Sequence, residues 1–414
     1  MSQAAEVSSE MPSACAAPPK QYVGTVVRLA IAQALAGANS TVLYATGTIV
    51  GDMLAPSKAL ATLPISVFVV GMAAGTLPAG SIAQRYGRRA AFLTGTGCGV
   101  LAGLVAALAV IRGSFWLFCA ATFFGGVYAA VILSFRFAAA DCVPPERRAR
   151  ALSAVMAGGV FAGVIGPQLV NFTMDIWRPY TFAATFLAQA GVAAVSAVVL
   201  SGVRLPALSA AEVASGRPLR VIVRQLRFVT AVVCGVVSYM LMNFLMTSAP
   251  LAMHLCGLST ETSNLGIQWH VIAMYAPSFF TGRLITRFGA VRVVAVGLSL
   301  LTCSCVIGLA GINATHFWLC LILLGLGWNF SFLGASAMVL KCHRASERTK
   351  VQSLNDFIVF GAMTVGSFSS GGLLTSYGWK AVVWVAFIPL AIAFAALAYR
   401  TWSQLAGPAD YQPD

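Results

Sequence analysis

The sequence predicts an all-α integral membrane protein, with twelve transmembrane helices arranged as two pseudo-symmetric six-helix halves. Three observations predict this fold class: the composition, a series of long apolar runs, and an internal repeat. Of 414 residues, 59% are apolar and only 9% are charged. Soluble domains carry roughly a quarter charged residues, so the composition excludes an ordinary soluble enzyme.

Twelve apolar runs are long enough to cross a bilayer, which takes about 20 residues in a helix. The predicted spans are 25–51, 57–83, 90–111, 115–138, 151–173, 181–203, 228–252, 261–283, 291–311, 315–340, 351–375 and 380–400. They divide the chain into a disordered tail (1–24), a first half (25–203), a linker (204–227), a second half (228–400) and a second tail (401–414). The first tail lacks the basic and apolar regions of a signal peptide.

The cationic residues predict the orientation in the membrane. Of the 26 Lys and Arg residues, 21 lie in one set of loops and helix ends. Cytoplasmic loops carry the excess of Lys and Arg, so we expect both termini to be cytoplasmic. The net charge of +14 then reflects membrane topology. We expect no nucleic-acid partner, because these loops are too short to build a basic folded face.

The two halves repeat at an offset of 202 residues. The matching positions are Gly80 and Gly282, Arg85 and Arg287, Gly87 and Gly289, and Phe115-Trp116-Leu117 and Phe317-Trp318-Leu319. Such repeats are typical of secondary transporters, which bind their substrate between the halves near the middle of the membrane. No span carries a cluster of nucleophile, base and acid, so we do not expect an enzyme.

One loop resembles the signature of a transporter family. The loop between spans two and three reads Gly80-Ser-Ile-Ala-Gln-Arg85-Tyr-Gly87-Arg88-Arg89. It resembles the major facilitator signature, Gly-x-x-x-Asp-Arg-x-Gly-Arg-Arg, and the resemblance implies the major facilitator fold over nearly the whole chain.

The signature loop departs from the family at its acidic position, which is Gln84 here and Thr286 in the second half. In the family this Asp helps to latch the cytoplasmic gate. We expect Asp141, at the end of span four, to replace it by pairing with Arg88 or Arg136. The alternative is that Asp141 is a solvated charge at the membrane interface.

Few acidic residues are placed to bind a substrate inside the membrane. Only Asp356 enters a span, about two turns from its cytoplasmic end. Magnesium, calcium and manganese ions prefer several oxygen ligands, so the sequence disfavours these ions as cargo.

Sulfur and imidazole groups are concentrated in spans seven and eight. Met242 and Met246 are four residues apart, as are His270 and Met274, and residues at this spacing share a helical face. The four side chains would converge if those two faces meet. Thioether sulfur and neutral imidazole suit Cu(I). A methionine stripe is also common core packing, and a buried histidine also suits a proton or an organic substrate.

The same four residues resemble a branch of the major facilitator family, the CcoA-like (CalT) bacterial copper importers. That branch carries Met-x-x-x-Met in span seven and His-x-x-x-Met in span eight. The resemblance implies copper uptake across the bacterial inner membrane for cytochrome oxidase assembly, with Met242 and His270 as leading ligands and Met246 and Met274 as auxiliary ones. Copper, as Cu(I), would be the cargo, and no resident cofactor is expected. The run from Arg136 to Asp141 resembles both this branch and riboflavin-transporter relatives, so it does not separate them.

Two other transport functions fit the sequence. One is the import of riboflavin or a similar aromatic molecule, bound in a cavity with a few polar groups. The residues predicted to line it are Tyr239, Asn243, Phe244, Trp269 and Trp328. The other is drug export through a broad apolar cavity.

Overall fold

A computed structural model of the chain describes residues 19–57, 60–205 and 216–406. The predictions made for 1–18, 206–215 and 407–414 therefore lie outside the described residues. Helices account for most of the described chain, which contains no strand. The helices of the first half are α1 (Pro19–Leu54), α2 (Leu63–Tyr86), α3 (Arg88–Arg112), α4 (Phe115–Asp141), α5 (Arg148–Thr173) and α6 (Ala183–Ser201).

A short helix precedes the six described helices of the second half. The helices are α7 (Leu219–Ile222), α8 (Leu226–Leu255), α9 (Thr260–Tyr275), α10 (Ser278–Phe288), α11 (Ala290–Ala310), α12 (Ala314–Val339) and α13 (Arg348–Ala406). Helix α13 is kinked at Gly378, where φ is 77°, and it supplies two membrane spans. Within the described residues, 11 helical segments are long and apolar enough to cross a membrane.

The predicted eighth span, 261–283, differs from the prediction because it is divided into α9 and α10. The division falls at Ala276 and Pro277, since proline has no N–H to donate within a helix. Asn329 of α12 bridges the division by donating to the Met274 carbonyl (2.6 Å) and to Ser278 Oγ (2.7 Å). One buried amide therefore holds the two pieces together.

Close contacts between backbones hold the helices of each half together. A Cβ added to Gly71 of α2 would lie 2.2 Å from the carbonyl oxygen of Phe123. One added to Gly126 of α4 would lie 1.9 Å from the carbonyl oxygen of Phe68. Helices in lipid associate mainly through such small-residue contacts, so the frequent glycines support packing in the membrane.

One end of the bundle gathers the cation-rich connections, and we call it the basic end. It carries the connections α2–α3, α4–α5, α6–α8, α10–α11 and α12–α13. Arg28 at the start of α1 donates to the Gly202 carbonyl after α6. Arg217 forms two hydrogen bonds with Glu347, at 2.7 and 2.8 Å, which join the chain before α7 to the α12–α13 connection.

The repeated signature loop has the same backbone conformation in both halves. Gly87 joins α2 to α3 and Gly289 joins α10 to α11, and φ is 86° at each. Side chains rarely adopt this left-handed region, whereas glycine does so freely. The matching glycines in the sequence thus mark two equivalent turns.

We predict that Gly87→Ala and Gly289→Ala each lower stability by about 1–2 kcal/mol, the cost of placing a Cβ at such a backbone angle. Thermal unfolding of the purified protein in detergent would measure it. Gly97→Ala is the matched control, because a Cβ at this helical site meets no atom within 4 Å. Equal unfolding temperatures for the Gly87 and Gly97 variants would contradict the prediction.

Candidate substrate site and gate

An aromatic cluster lies where the helices of the second half converge. The Tyr239 ring of α8 packs edge-on against three rings, with centroid distances of 5.5 Å to Trp328, 5.0 Å to Phe332 and 5.6 Å to Phe360. Trp328 and Phe332, one turn apart on α12, stack at 5.2 Å. Because α8, α12 and α13 each supply a ring, the cluster depends on the tertiary fold.

Two further tyrosines extend this aromatic cluster toward α9 and the first half. Tyr275, the last residue of α9, lies 5.7 Å from the Trp328 ring. Tyr44 of α1 lies near both Tyr239 and Tyr275. The aromatic cluster therefore borders the interface between the two halves, where transporters of this kind bind substrate.

A buried ion pair lies beside the cluster and joins the halves. Arg136 Nη2 of α4 is 2.7 Å from Asp356 Oδ1 of α13, and the Arg136 side chain is fully buried. Its Nε donates to Ser336 Oγ at 3.2 Å. The guanidinium carbon lies 4.3 Å from the ring centroid of Phe137 and 4.7 Å from that of Phe332. These distances suit cation–π attraction, so the charge is compensated by an acid and two rings.

Among the residues that the structure describes, three buried polar atoms near the centre of the second half have no hydrogen-bond partner. They are Trp328 Nε1, Asn243 Nδ2 and His270 Nε2. Asn243 lies one turn after Tyr239 on α8. A buried polar group without a partner costs about 1–3 kcal/mol, and such groups call for an explanation such as a ligand.

The histidine ring is oriented by a backbone carbonyl. His270 Nδ1 is 2.7 Å from the carbonyl oxygen of Leu321 on α12. A carbonyl can only accept, so Nδ1 carries the proton and Nε2 of the neutral ring is an acceptor. The ring is completely buried.

The structure places the His270 and Met274 turn of α9 against α12. A Cβ added to Gly325 would lie 2.6 Å from the His270 carbonyl oxygen and 2.9 Å from the Met274 nitrogen.

Met242 and Met274 are buried and Met246 is half-buried. Helix α9 packs mainly against α12, and α8 packs mainly against α13. Convergence of the four side chains on one ion stays a prediction. Among the described residues, no group of three or more His, Cys, Asp or Glu could hold a metal.

Of the five residues predicted to line an aromatic cavity, Tyr239 and Trp328 lie in the aromatic cluster. Asn243 and Phe244 are buried on the same helix as Tyr239. Trp269 lies elsewhere, because 46% of its surface is exposed.

At the basic end, a polar cluster joins α3 and α4 to α13. Arg88 Nη2 is 2.5 Å from Asp141 Oδ2 and donates to Gln352 Oε1 at 2.5 Å. Gln352 in turn contacts Asp141, at 3.4 Å. Of the two partners expected for Asp141, the structure therefore pairs it with Arg88, while Arg136 pairs with Asp356 instead. We call Arg88, Asp141 and Gln352 the gate cluster.

The other signature residues surround the gate cluster. Gly80 of α2 touches α13, since a Cβ there would lie 2.2 Å from Ser353 Oγ, whereas Arg85 and Arg89 are exposed. The cavity between the halves at this level has a volume of about 40 Å³, enough for a few water molecules. The basic end is thus closed.

These features define a class of protein: a membrane transporter with two related helical halves and a polar, aromatic centre between them. The chain belongs to the Major Facilitator Superfamily, whose profile matches residues 29–273 and 231–409. It is a multi-pass membrane transporter and not an enzyme.

Among curated proteins, the chain is 46% identical over 378 residues to the riboflavin transporter RfnT of Brucella anthropi, covering 91% of this chain and 95% of that one. Among solved structures it resembles the human organic anion transporter MFSD10, with a TM-score of 0.73, 17% identity and coverage of 92% and 100%. It also resembles the proton:xylose symporter XylE, with a TM-score of 0.73, 13% identity and coverage of 94% and 96%.

Sequence reasoning missed the partner of Arg136. Arg136 and Asp356 carry opposite charges and both lie within predicted spans, and charges inside a membrane usually pair with one another. That rule would have indicated the pair. Tyr44, Tyr275, Phe332 and Phe360 were also missed, because aromatic residues are too frequent in apolar spans to be distinguished by type.

We predict that Asp356→Asn destabilises the protein by about 3–5 kcal/mol, because it leaves Arg136 as an uncompensated buried charge. The double variant Arg136→Met with Asp356→Leu removes both charges and should be markedly more stable than the single variant. Thermal unfolding in detergent compares them. If the double variant loses as much stability as the single variants Arg136→Met and Asp356→Leu added together, the pair contributes no coupling.

Proposed function

We propose that this chain takes up riboflavin, or a flat heteroaromatic molecule of the same class, by alternating access. The aromatic cluster beside the interface of the halves carries the proposal. The 46% identity to a riboflavin transporter over nearly the whole chain supports it.

The chemistry of the aromatic cluster suits a flavin ring. Such a ring is flat and apolar on its faces, with carbonyl oxygens and ring nitrogens along its edges. Tyr239, Trp328 and Phe332 are buried against one another, and movement of the halves would open their faces and edges for stacking with the substrate, a geometry favourable for aromatic pairs. Trp328 Nε1 and Asn243 Nδ2 are buried donors without acceptors. Ring carbonyls would supply the acceptors, so binding would remove the cost of leaving these donors unpaired.

The gate cluster would close the basic end while substrate is bound from the opposite end. Rocking of one half against the other exposes a central site to each side in turn. Opening the basic end would separate Gln352 and Ser353 of α13 from Arg88 and Gly80. The contacts of Gln352 with Arg88 and Asp141 would therefore break in each transport cycle.

Copper import is the second candidate, and one observation favours it. Metal-ligating histidines usually donate their other ring N–H to a carbonyl or carboxylate. His270 has this arrangement, with Nδ1 on the Leu321 carbonyl and Nε2 buried without a partner. Met242 is the sulfur ligand that the resemblance to copper importers implies. The comparisons with known proteins lend copper no support.

We predict that Trp328→Leu reduces riboflavin uptake at least tenfold, because stacking of one flat ring on an aromatic side chain contributes about 1–3 kcal/mol. Uptake of labelled riboflavin would be measured in bacteria that lack both flavin synthesis and their own importer. Trp269→Leu is the matched control, since it removes the same side chain from an exposed position. Equal uptake by the two variants would argue against the aromatic cluster as the site.

A measurement of cellular copper separates the two candidates. The same cells would express the native chain, Met242→Leu or His270→Ala. Leucine preserves the volume and apolar character of methionine but removes its sulfur. We expect no chain-dependent change in copper and normal riboflavin uptake by the Met242 variant. A rise in copper with the native chain, lost in both variants, would favour the copper site.

We predict that Asp141→Asn and Arg88→Gln each reduce uptake, about three- to tenfold, by weakening closure of the basic end. A charge-assisted hydrogen bond contributes about 1.5–3 kcal/mol, and solvent access reduces that value at an interface. The exchanged pair, Arg88→Asp with Asp141→Arg, should recover part of the loss. Arg283→Gln, an exposed cation at the same end, is the control. No recovery in the exchanged pair would contradict a role for their ion pair.

A further inference from the structure

A groove outside the substrate site opens at the basic end of the second half. It has a volume of about 790 Å³ and lies between the α10–α11 turn, α12 and the last turns of α13. Arg292, Lys341 and Arg400 line it together with apolar side chains. None of the described residues that line it is acidic, so the groove is a positively charged, half-apolar surface.

Arg400 is the half-buried one of the three cations, whereas Arg292 and Lys341 are exposed. Within the described chain, its Nε and Nη1 are buried and have no hydrogen-bond partner. Another cation, Arg227, lies close enough to repel it. Burying a charged group without a partner is costly, so this guanidinium calls for an anion that the described part of the chain does not supply.

A helix terminus adds to the positive character of the groove. Helix α11 begins at Ala290, and its preceding residue, Gly289, provides no side chain to cap it. Gly289, Ala290 and Val291 line the groove. The first N–H groups of a helix have no partner within the helix, and together with the helix dipole they favour a bound phosphate.

Part of the apolar wall of the groove lies at the surface of the bundle. Phe394 of α13 is half-buried and Trp402 is 64% exposed, while Leu397 behind them is buried. The neighbouring Tyr399 is 56% exposed. Exposed Trp and Tyr residues typically mark the level of the lipid headgroups, so the cations lie where a phosphate group would be found.

We propose that this groove binds an anionic phospholipid of the leaflet at the basic end. Its phosphate would contact Arg400, Lys341 and the start of α11, and an acyl chain would lie along Phe394 and Trp402. Basic pockets between membrane helices commonly hold acidic headgroups. A lipid would supply both the anion for Arg400 and the apolar contact for the wall.

Native mass spectrometry of the full-length protein in detergent tests this proposal. Phosphatidylglycerol and phosphatidylcholine with identical acyl chains would be titrated against the native chain and against Arg400→Gln, Lys341→Gln and Arg150→Gln. Arg150 is exposed at the same end in the first half and serves as the control. Circular dichroism and size-exclusion chromatography would show which variants are folded.

We expect tighter binding of phosphatidylglycerol than of phosphatidylcholine. Its affinity should fall about fivefold in Arg400→Gln and in Lys341→Gln, since one interfacial cation contributes about 1 kcal/mol. The Arg150 control should match the native chain. Equal binding of the two lipids, or an equal loss in the Arg150 variant, would overturn the proposal. So would effective competition by glycerol phosphate, because the groove would then bind a free phosphate rather than a lipid.

Discussion

The pairing of Arg136 with Asp356 is the constraint on which the centre of this transporter depends. Either charge alone would be expensive inside a membrane, and each lies on a helix of a different half. Their 2.7 Å contact therefore fixes α4 against α13. The gate cluster lies closer to the basic end than this pair does. It also joins α4 to α13, so polar contacts hold the two halves together at two successive levels.

The ion pair and the aromatic cluster contact each other through Phe332, so the packing of the cluster is linked to the interface of the halves. Phe332 packs on Tyr239 and also on the guanidinium of Arg136. Phe360, another ring of the aromatic cluster, lies one turn after Asp356 on α13. A ligand that displaces Phe332 or Phe360 would alter the packing of the ion pair. A ligand bound in the centre would thus act directly on the Arg136–Asp356 contact that holds the halves together.

Much of the fold could be predicted from the sequence because membrane spans are encoded locally. Length and apolarity define each span, and the offset of 202 residues defines the two halves. The eighth span was the exception. The sequence stays apolar on both sides of Pro277, so the hydropathy summed over these residues predicts an unbroken span. The break becomes evident only when Asn329, about 50 residues later, is found on the carbonyl of Met274.

The site was less predictable because spacing along a helix gives a shared face but does not say what that face contacts. The spacing of His270 and Met274 correctly places them on neighbouring turns, yet the Gly325 contact sets those turns against α12. For Asp141, the choice between Arg88 and Arg136 depends on helix rotation, which composition does not encode. The aromatic cluster contains Tyr239, Trp328 and Phe360, which lie on three different helices, so no local sequence pattern predicts it.

The difference between a local sequence motif and a site built by several helices also applies to the two candidate cargoes. The copper interpretation depends on four positions in two helices, and three of those residues are also ordinary core methionines. The flavin interpretation depends on a cluster that several helices must build together, and on similarity that extends over 91% of the chain. A feature that many distant residues must maintain is a stronger constraint than a motif of four. The unpaired Nε2 of His270 belongs in either account, since it can accept from a ring N–H of a flavin as readily as it can bind a metal.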